Sequence, residues 1–236
     1  MYDNESKSNV NISDVINNTT SKILKQLSGA ENKSRKRVID NIVSFMGVSG
    51  GTGVSTIVAN VAQKIVDMGL SVIILDSNLC YPSQHTFFRV KQEIEKKDFV
   101  SLITGRSNIG ESIEYRGELG ILVANNRNLM DYINCDTKTV AKNMEEILDR
   151  LSSLFDIVLV DCTNNIEHDL IHTILYKSNS IYCVWDEGIS GVSNFEKLRG
   201  NMRILGIDPN KMRVVLNKKT KVYYRNMSSS TFSILS

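Results

Sequence analysis

Apolar residues in this chain fall into short, nearly continuous runs separated by stretches of helical spacing. The runs cover 39–46, 71–75, 120–124, 156–160, 180–185 and 211–216. Uninterrupted apolar runs of this length predict strands buried on both faces of a sheet. Between them, Ile57, Val58, Val61, Ile65 and Met68 share one helical face, which predicts a helix over 54–68 closed by Gly69. Val140, Met144, Ile147, Leu148 and Leu151 predict a long helix over 137–153. Shorter helices are expected at 109–114, 167–176 and 190–204, and a charged helical stretch runs from Gln92 to Ile103, after a loop at Pro82 and before a stop at Gly105. Strands alternating with helices define an α/β fold, a doubly wound, mostly parallel sheet with helices on both faces. The first run is unusual in being broken by Asp40, Asn41 and Ser44.

The ends of the chain lack this pattern. Residues 1–11 are rich in Asn and Ser, and Ser13 to Leu27 carries one thin apolar face, Ile16, Ile23, Leu24 and Leu27, which predicts a short amphipathic helix packed on the flank of the domain. A linker over 28–37 leads into the domain. The organisation expected is a polar tail at 1–37, a domain at 38–218 and a Ser-rich C-terminal segment at 219–236. Net charge is +2, and the excess lies in residues 1–40, mostly in the basic run Lys33 to Arg37. We read this run as a solvated tail with at most a weak membrane-surface contact, and expect no nucleic-acid partner. Cys80, Cys135, Cys162 and Cys183 show no CxxC spacing and read as reduced residues of a cytoplasmic protein. A polar N-terminus and the lack of any apolar run of about 18 residues predict neither a signal peptide nor a transmembrane helix.

The chemistry is concentrated where strands end. The first run feeds Gly47-Val48-Ser49-Gly50-Gly51-Thr52-Gly53-Val54-Ser55-Thr56 and then a helix. Small residues permit a tight turn whose N–H groups, with the helix N-terminus, face an anion. The frame is that of the phosphate-binding pattern G-x-x-x-x-G-K-[ST], with Val54 in the lysine slot. Ser55 is placed to bind Mg²⁺ and Thr56 to bond a phosphate, although both also suit a helix cap. Asp76, Asp161 and Asn217 end three other runs, and ligands in such folds sit beyond the carboxyl ends of the strands. Asp161 is the candidate Mg²⁺ ligand with Ser55. Asp76 is the candidate catalytic residue, orienting an attacking water, and Asn217 the candidate reader of a base edge. His168 and His172 stand four apart, a spacing that can bind metal, but no third ligand is evident and an exposed helix face explains them as well.

These residues resemble the ParA/MinD family of P-loop proteins. Ser49 to Thr56 is similar to their deviant Walker A loop, Ile57 to Ala62 to the helix start that follows it, Val72 to Asp76 to the motif linked with water activation, and Asp156 to Asp161 to Walker B. Arg213 to Lys218 resembles the strand whose Asn contacts adenine, so the resemblance covers about 38–218. It implies ATP and Mg²⁺ as cofactors, held by Gly50, Gly51, Thr52, Gly53, Val54, Ser55, Thr56, Asn217 and Asp161, and a homodimer. Two lysines of the family loop are replaced, by Ser49 and Val54, which implies weak or absent hydrolysis. A loop of this kind, with Arg203 to Arg213, is similar to the CpaE/TadZ branch, which implies an adaptor that places a membrane-associated Tad (Flp) pilus assembly, at the inner face of the cell membrane. Two other resemblances stand beside it. Asp76 to Phe88 resembles a motif of the bacterial tyrosine kinases of capsule systems, with Asn78 in place of an Asp and Tyr223-Tyr224 as a short tyrosine tail. A partitioning ATPase, with the basic run as its DNA contact, is the third.

Overall fold

A computed structural model describes residues 16–23, 41–90, 98–166, 168–186 and 191–218. Helix α1 occupies residues 16–23. Then follow β1 (Ile42–Gly47), α2 (Val54–Asp67), β2 (Val72–Asp76), α3 (Gln84–Phe87), α4 (Phe99–Ile103), α5 (Ile109–Ser112), β3 (Glu114–Arg116), β4 (Leu119–Leu122) and α6 (Leu129–Ile133). The order closes with α7 (Thr137–Leu154), β5 (Ile157–Cys162), α8 (Asp169–Lys177), β6 (Ser180–Trp185), α9 (Gly191–Ile204) and β7 (Met212–Leu216).

The strands form one sheet in the order β3-β4-β2-β5-β1-β6-β7. All pairs are parallel except β3 with β4. The expected doubly wound α/β fold is therefore the observed one. Alternate strand residues face two core layers, as the two-residue period of a strand requires. Val43, Phe45, Ile74 and Leu159 face the layer built with α2, into which Ile16 and Ile23 of α1 also pack. Ile42, Met46, Leu75 and Val160 face the layer built with α7, α8 and α9.

The polar interruptions of the first run have a structural cause. Asn41 is 2% exposed, and its Nδ2 donates to the carbonyls of Ser152 and Phe155, both at 2.9 Å, while Ser152 Oγ donates to its Oδ1 at 2.6 Å. Ser44, fully buried, shares a 2.6 Å hydrogen bond with Ser178. Buried polar groups are retained where they are paired, and these pairs tie the strand that leads into the glycine loop to the C-terminal ends of α7 and α8.

Three elements differ from the expected pattern. Helices α3 and α6 are too short to show a helical period, and β3 is an edge strand of three residues. The charged stretch from Gln92 falls partly outside the described residues; its helix begins at Phe99, where Asp98 caps it by accepting the Ser101 N–H at 2.8 Å. The basic run and Tyr223-Tyr224 also lie outside the described residues. The four cysteines are free. Cys162 and Cys183 are buried, and burial pushes both thiols up to about 12, whereas Cys80 is exposed and Cys135 half-buried. Among the described residues no helix is long and apolar enough to cross a membrane.

One packing contact yields a direct test. A Cβ at Gly191 would stand 1.6 Å from Nε1 of Trp185, the only tryptophan. Gly191→Ala is expected to displace the indole and cost about 1–3 kcal/mol, the usual cost of overpacking. Urea unfolding followed by tryptophan fluorescence reads both effects.

Candidate functional site

The glycine loop joins β1 to α2 at the carboxyl end of an inner strand of the sheet. Its start is anchored by the Val48 N–H on the Val184 carbonyl at 3.0 Å. Gly51 (φ 75) and Gly53 (φ 90) take the left-handed backbone that side chains disfavour. The first N–H engaged in the helix is that of Ile57, which donates to the Gly53 carbonyl at 3.1 Å, so the N–H groups of Val54, Ser55 and Thr56 form the open first turn. Gly50 and Gly51 are exposed and face open space. An open first turn of this kind can take an anion. Gly47, by contrast, belongs to β1 and stands one residue too far from Gly53 for the phosphate-binding spacing, so Val48 fills the first position of the motif. Thr52 is buried. Val54 is partly buried against the α2-side core, so position 54 contributes packing in place of charge.

The register of the sheet places Asp76 and Asp161 side by side across β2 and β5. Both are buried. Asp76 Oδ2 accepts the N–H groups of Ser83 at 2.7 Å and Gln84 at 3.0 Å, and Oδ1 that of Asn78 at 3.1 Å. Both oxygens thus hold the turn that starts α3. Asp161 Oδ2 accepts from Gln84 Nε2 at 2.7 Å, and the same nitrogen donates to the Ser55 carbonyl at 3.0 Å. Gln84 thereby links the loop, the Walker B-like carboxylate and, through its own N–H, Asp76. Burial raises the proton affinity of Asp76, opposed by its bonds from Gln84, Ser83 and Asn78 and by His85. Asp161 is pushed up to about 7 by burial and by the charge of Asp76, opposed by hydrogen bonds from Gln84 and Ser55.

Asn217 is brought to the loop as well. Its Nδ2 donates to the Thr52 carbonyl at 2.8 Å, so the donor half of its amide is engaged by protein. The two histidines, one helical turn apart, bond different partners. His168 is the N-cap of α8 and bonds the Tyr132 hydroxyl at 3.0 Å, while His172 Nε2 bonds the Leu205 carbonyl at 2.9 Å. Among the described residues no group of three metal-ligating side chains is found. Two contributors were not singled out from sequence. Gln84 lay inside the stretch quoted for the kinase resemblance, and Lys218, whose Nζ donates to the Gly51 carbonyl at 2.5 Å, follows Asn217 directly.

The oxygen donors present suit Mg²⁺. Ser55 and Asp161 supply a hydroxyl and a carboxylate, the hard ligands this ion prefers. Beside them Gln84 Oε1 is buried without a hydrogen-bond partner, an acceptor that a hydrated cation would satisfy.

A glycine loop at the end of an inner strand of a mostly parallel sheet, beside strand-end carboxylates, defines the class: a P-loop fold of the ParA/MinD type. Within it, the chain belongs to the AAA domain family (AAA_31), matched over residues 40–204. An ATP-binding protein of Methanocaldococcus jannaschii is 26% identical over 166 residues, which are 70% of this chain and 60% of that protein, so the chain spans less than two thirds of that relative. Three solved structures share the fold. The kinase domain of Escherichia coli tyrosine kinase ETK has a TM-score of 0.67 at 14% identity, covering 90% of this chain and 77% of that one. A ParA family ATPase from Chlorobium tepidum has a TM-score of 0.67 at 15% identity, covering 83% and 81%. The septum site-determining protein MinD of Pyrococcus horikoshii, complexed with Mg-ADP, has a TM-score of 0.60 at 18% identity, covering 71% and 66%.

Proposed function

We propose that this protein binds ATP through the loop 48–56 and acts as a nucleotide-responsive adaptor with weak or absent hydrolysis. The observation that carries this is an intact anion cradle, flanked by Ser55 and Asp161, in a loop where Val54 turns to the core. Ser55 and Asp161 would hold Mg²⁺, which neutralises phosphate charge when bound. Asn217 would border the base. In phosphoryl transfer most of the catalysis is charge stabilisation and positioning. A valine supplies no charge, and Asp76 has both oxygens engaged by backbone N–H groups.

In this reading the protein is CpaE/TadZ-like: it dimerises and positions a membrane-associated pilus assembly. The test is Mg²⁺-dependent binding of a fluorescent ATP analogue alongside phosphate release. Saturable binding, weakened about tenfold or more by Ser55→Ala, with phosphate release at background, is the expected result. An ordinary turnover rate that is lost in Asp76→Ala would overturn it. A second reading, a tyrosine kinase relative, is supported by the similarity to ETK and by Asp76 to Phe88. It requires phosphotyrosine at Tyr223 or Tyr224, which mass spectrometry of the purified protein detects. The pilus reading expects none.

A further inference from the structure

The last strand brings a lysine to a loop that has none of its own. Lys218 follows Asn217 at the carboxyl end of β7, with a left-handed backbone of φ 54. A non-glycine residue keeps that conformation where its surroundings over-determine it. The turn sends the side chain back over the loop: its Cε stands 4.0 Å from where a Cβ of Gly53 would be, and its Nζ meets the Gly51 carbonyl at 2.5 Å. Next to it, the Asn217 amide holds the Thr52 carbonyl at 2.8 Å. Two consecutive loop carbonyls are therefore held from one side by two consecutive side chains.

In a trans peptide the C=O and the following N–H point in opposite directions. Holding the carbonyls of Gly51 and Thr52 turns the N–H groups of Thr52 and Gly53 the other way. An ammonium on the carbonyl also polarises the peptide, which strengthens its N–H as a donor. Resting on the reading of this loop as a nucleotide site, we propose that Lys218 supplies from outside the loop the positive charge that position 54 lacks, holding and polarising the N–H groups that take the nucleotide's phosphates. It is a positioning residue, and the ligand feature it serves is the anionic phosphate chain, not the base.

The test compares the affinities of ATP and adenosine for the full chain. Lys218→Met keeps the apolar stem and removes the charge. It is expected to weaken ATP about tenfold and leave adenosine unchanged. Lys218→Arg should retain most of the ATP affinity, and Val54→Lys in the Lys218→Met background should restore it. Amide hydrogen exchange across 50–53, without nucleotide, should be faster in Lys218→Met. Wild-type ATP affinity in Lys218→Met, or equal losses for ATP and adenosine, would overturn the proposal while the nucleotide reading stands. A wild-type protein that binds no nucleotide overturns both.

Discussion

Asp161→Asn is expected to stabilise the protein at pH 8 while weakening its Mg²⁺-dependent nucleotide binding. Asp161 is buried, pushed up to about 7 from 3.8 by burial first and by the neighbouring Asp76 charge second. An acid whose folded pKa lies above its unfolded value holds more protons in the folded state. Its contribution to stability is full below about pH 4 and is lost as pH rises towards 7. Asparagine keeps the acceptor for Gln84 and never ionises. The variant should therefore match the wild type near pH 4 and exceed it by about 2–4 kcal/mol at pH 8, from the size of the shift. Urea unfolding at the two pH values reads the difference. An equal stability at both would mean that the carboxylate is ionised at little cost. The loss of binding, measured with a fluorescent ATP analogue, would show that the destabilising charge is retained for the cation.

Gly53→Ala should have the largest effect on the loop itself. Gly53 holds φ 90, and a Cβ there would lie 2.7 Å from Asn217 Nδ2. The backbone cost alone is about 1–3 kcal/mol. The clash adds to it and pushes Asn217 off the Thr52 carbonyl, so the loop loses the bond that shapes it. Thermal unfolding should report the lost stability and the ATP analogue a loss of binding beyond tenfold. Gly50→Ala meets open space and makes the control: near-wild-type stability and a smaller change in binding.

The doubly wound sheet was legible because each buried parallel strand is a continuous apolar run and each long helix has a clear period. The strand-end positions of Asp76, Asp161 and Asn217 followed from the same runs. What pattern could not reveal was the use of their polar atoms. Asp76 reads as a lone carboxylate after a strand, yet its oxygens are engaged by Asn78, Ser83 and Gln84 in a turn too short to have a period. Gln84 has no apolar rhythm and lies in a loop-like stretch, but the fold buries it against Asp161. Asn41 and Ser44 looked like defects in the first strand because their partners are remote in sequence. Val54 was legible as a missing lysine, whereas the lysine brought over the loop comes from another strand.

The loop is short, but the groups that shape it are gathered from nearly the whole chain. Gln84 bonds it from 29 residues away, Asn217 from 165 and Lys218 from 167. Contacts that close such large segments carry a greater entropic cost than local ones. The bond from Gln84 needs only the first part of the domain, whereas those from Asn217 and Lys218 need β7. The side of the loop held by Asn217 and Lys218 can therefore take its final shape only once β7 is seated, so the part of the chain proposed to meet phosphate depends on its most distant strand.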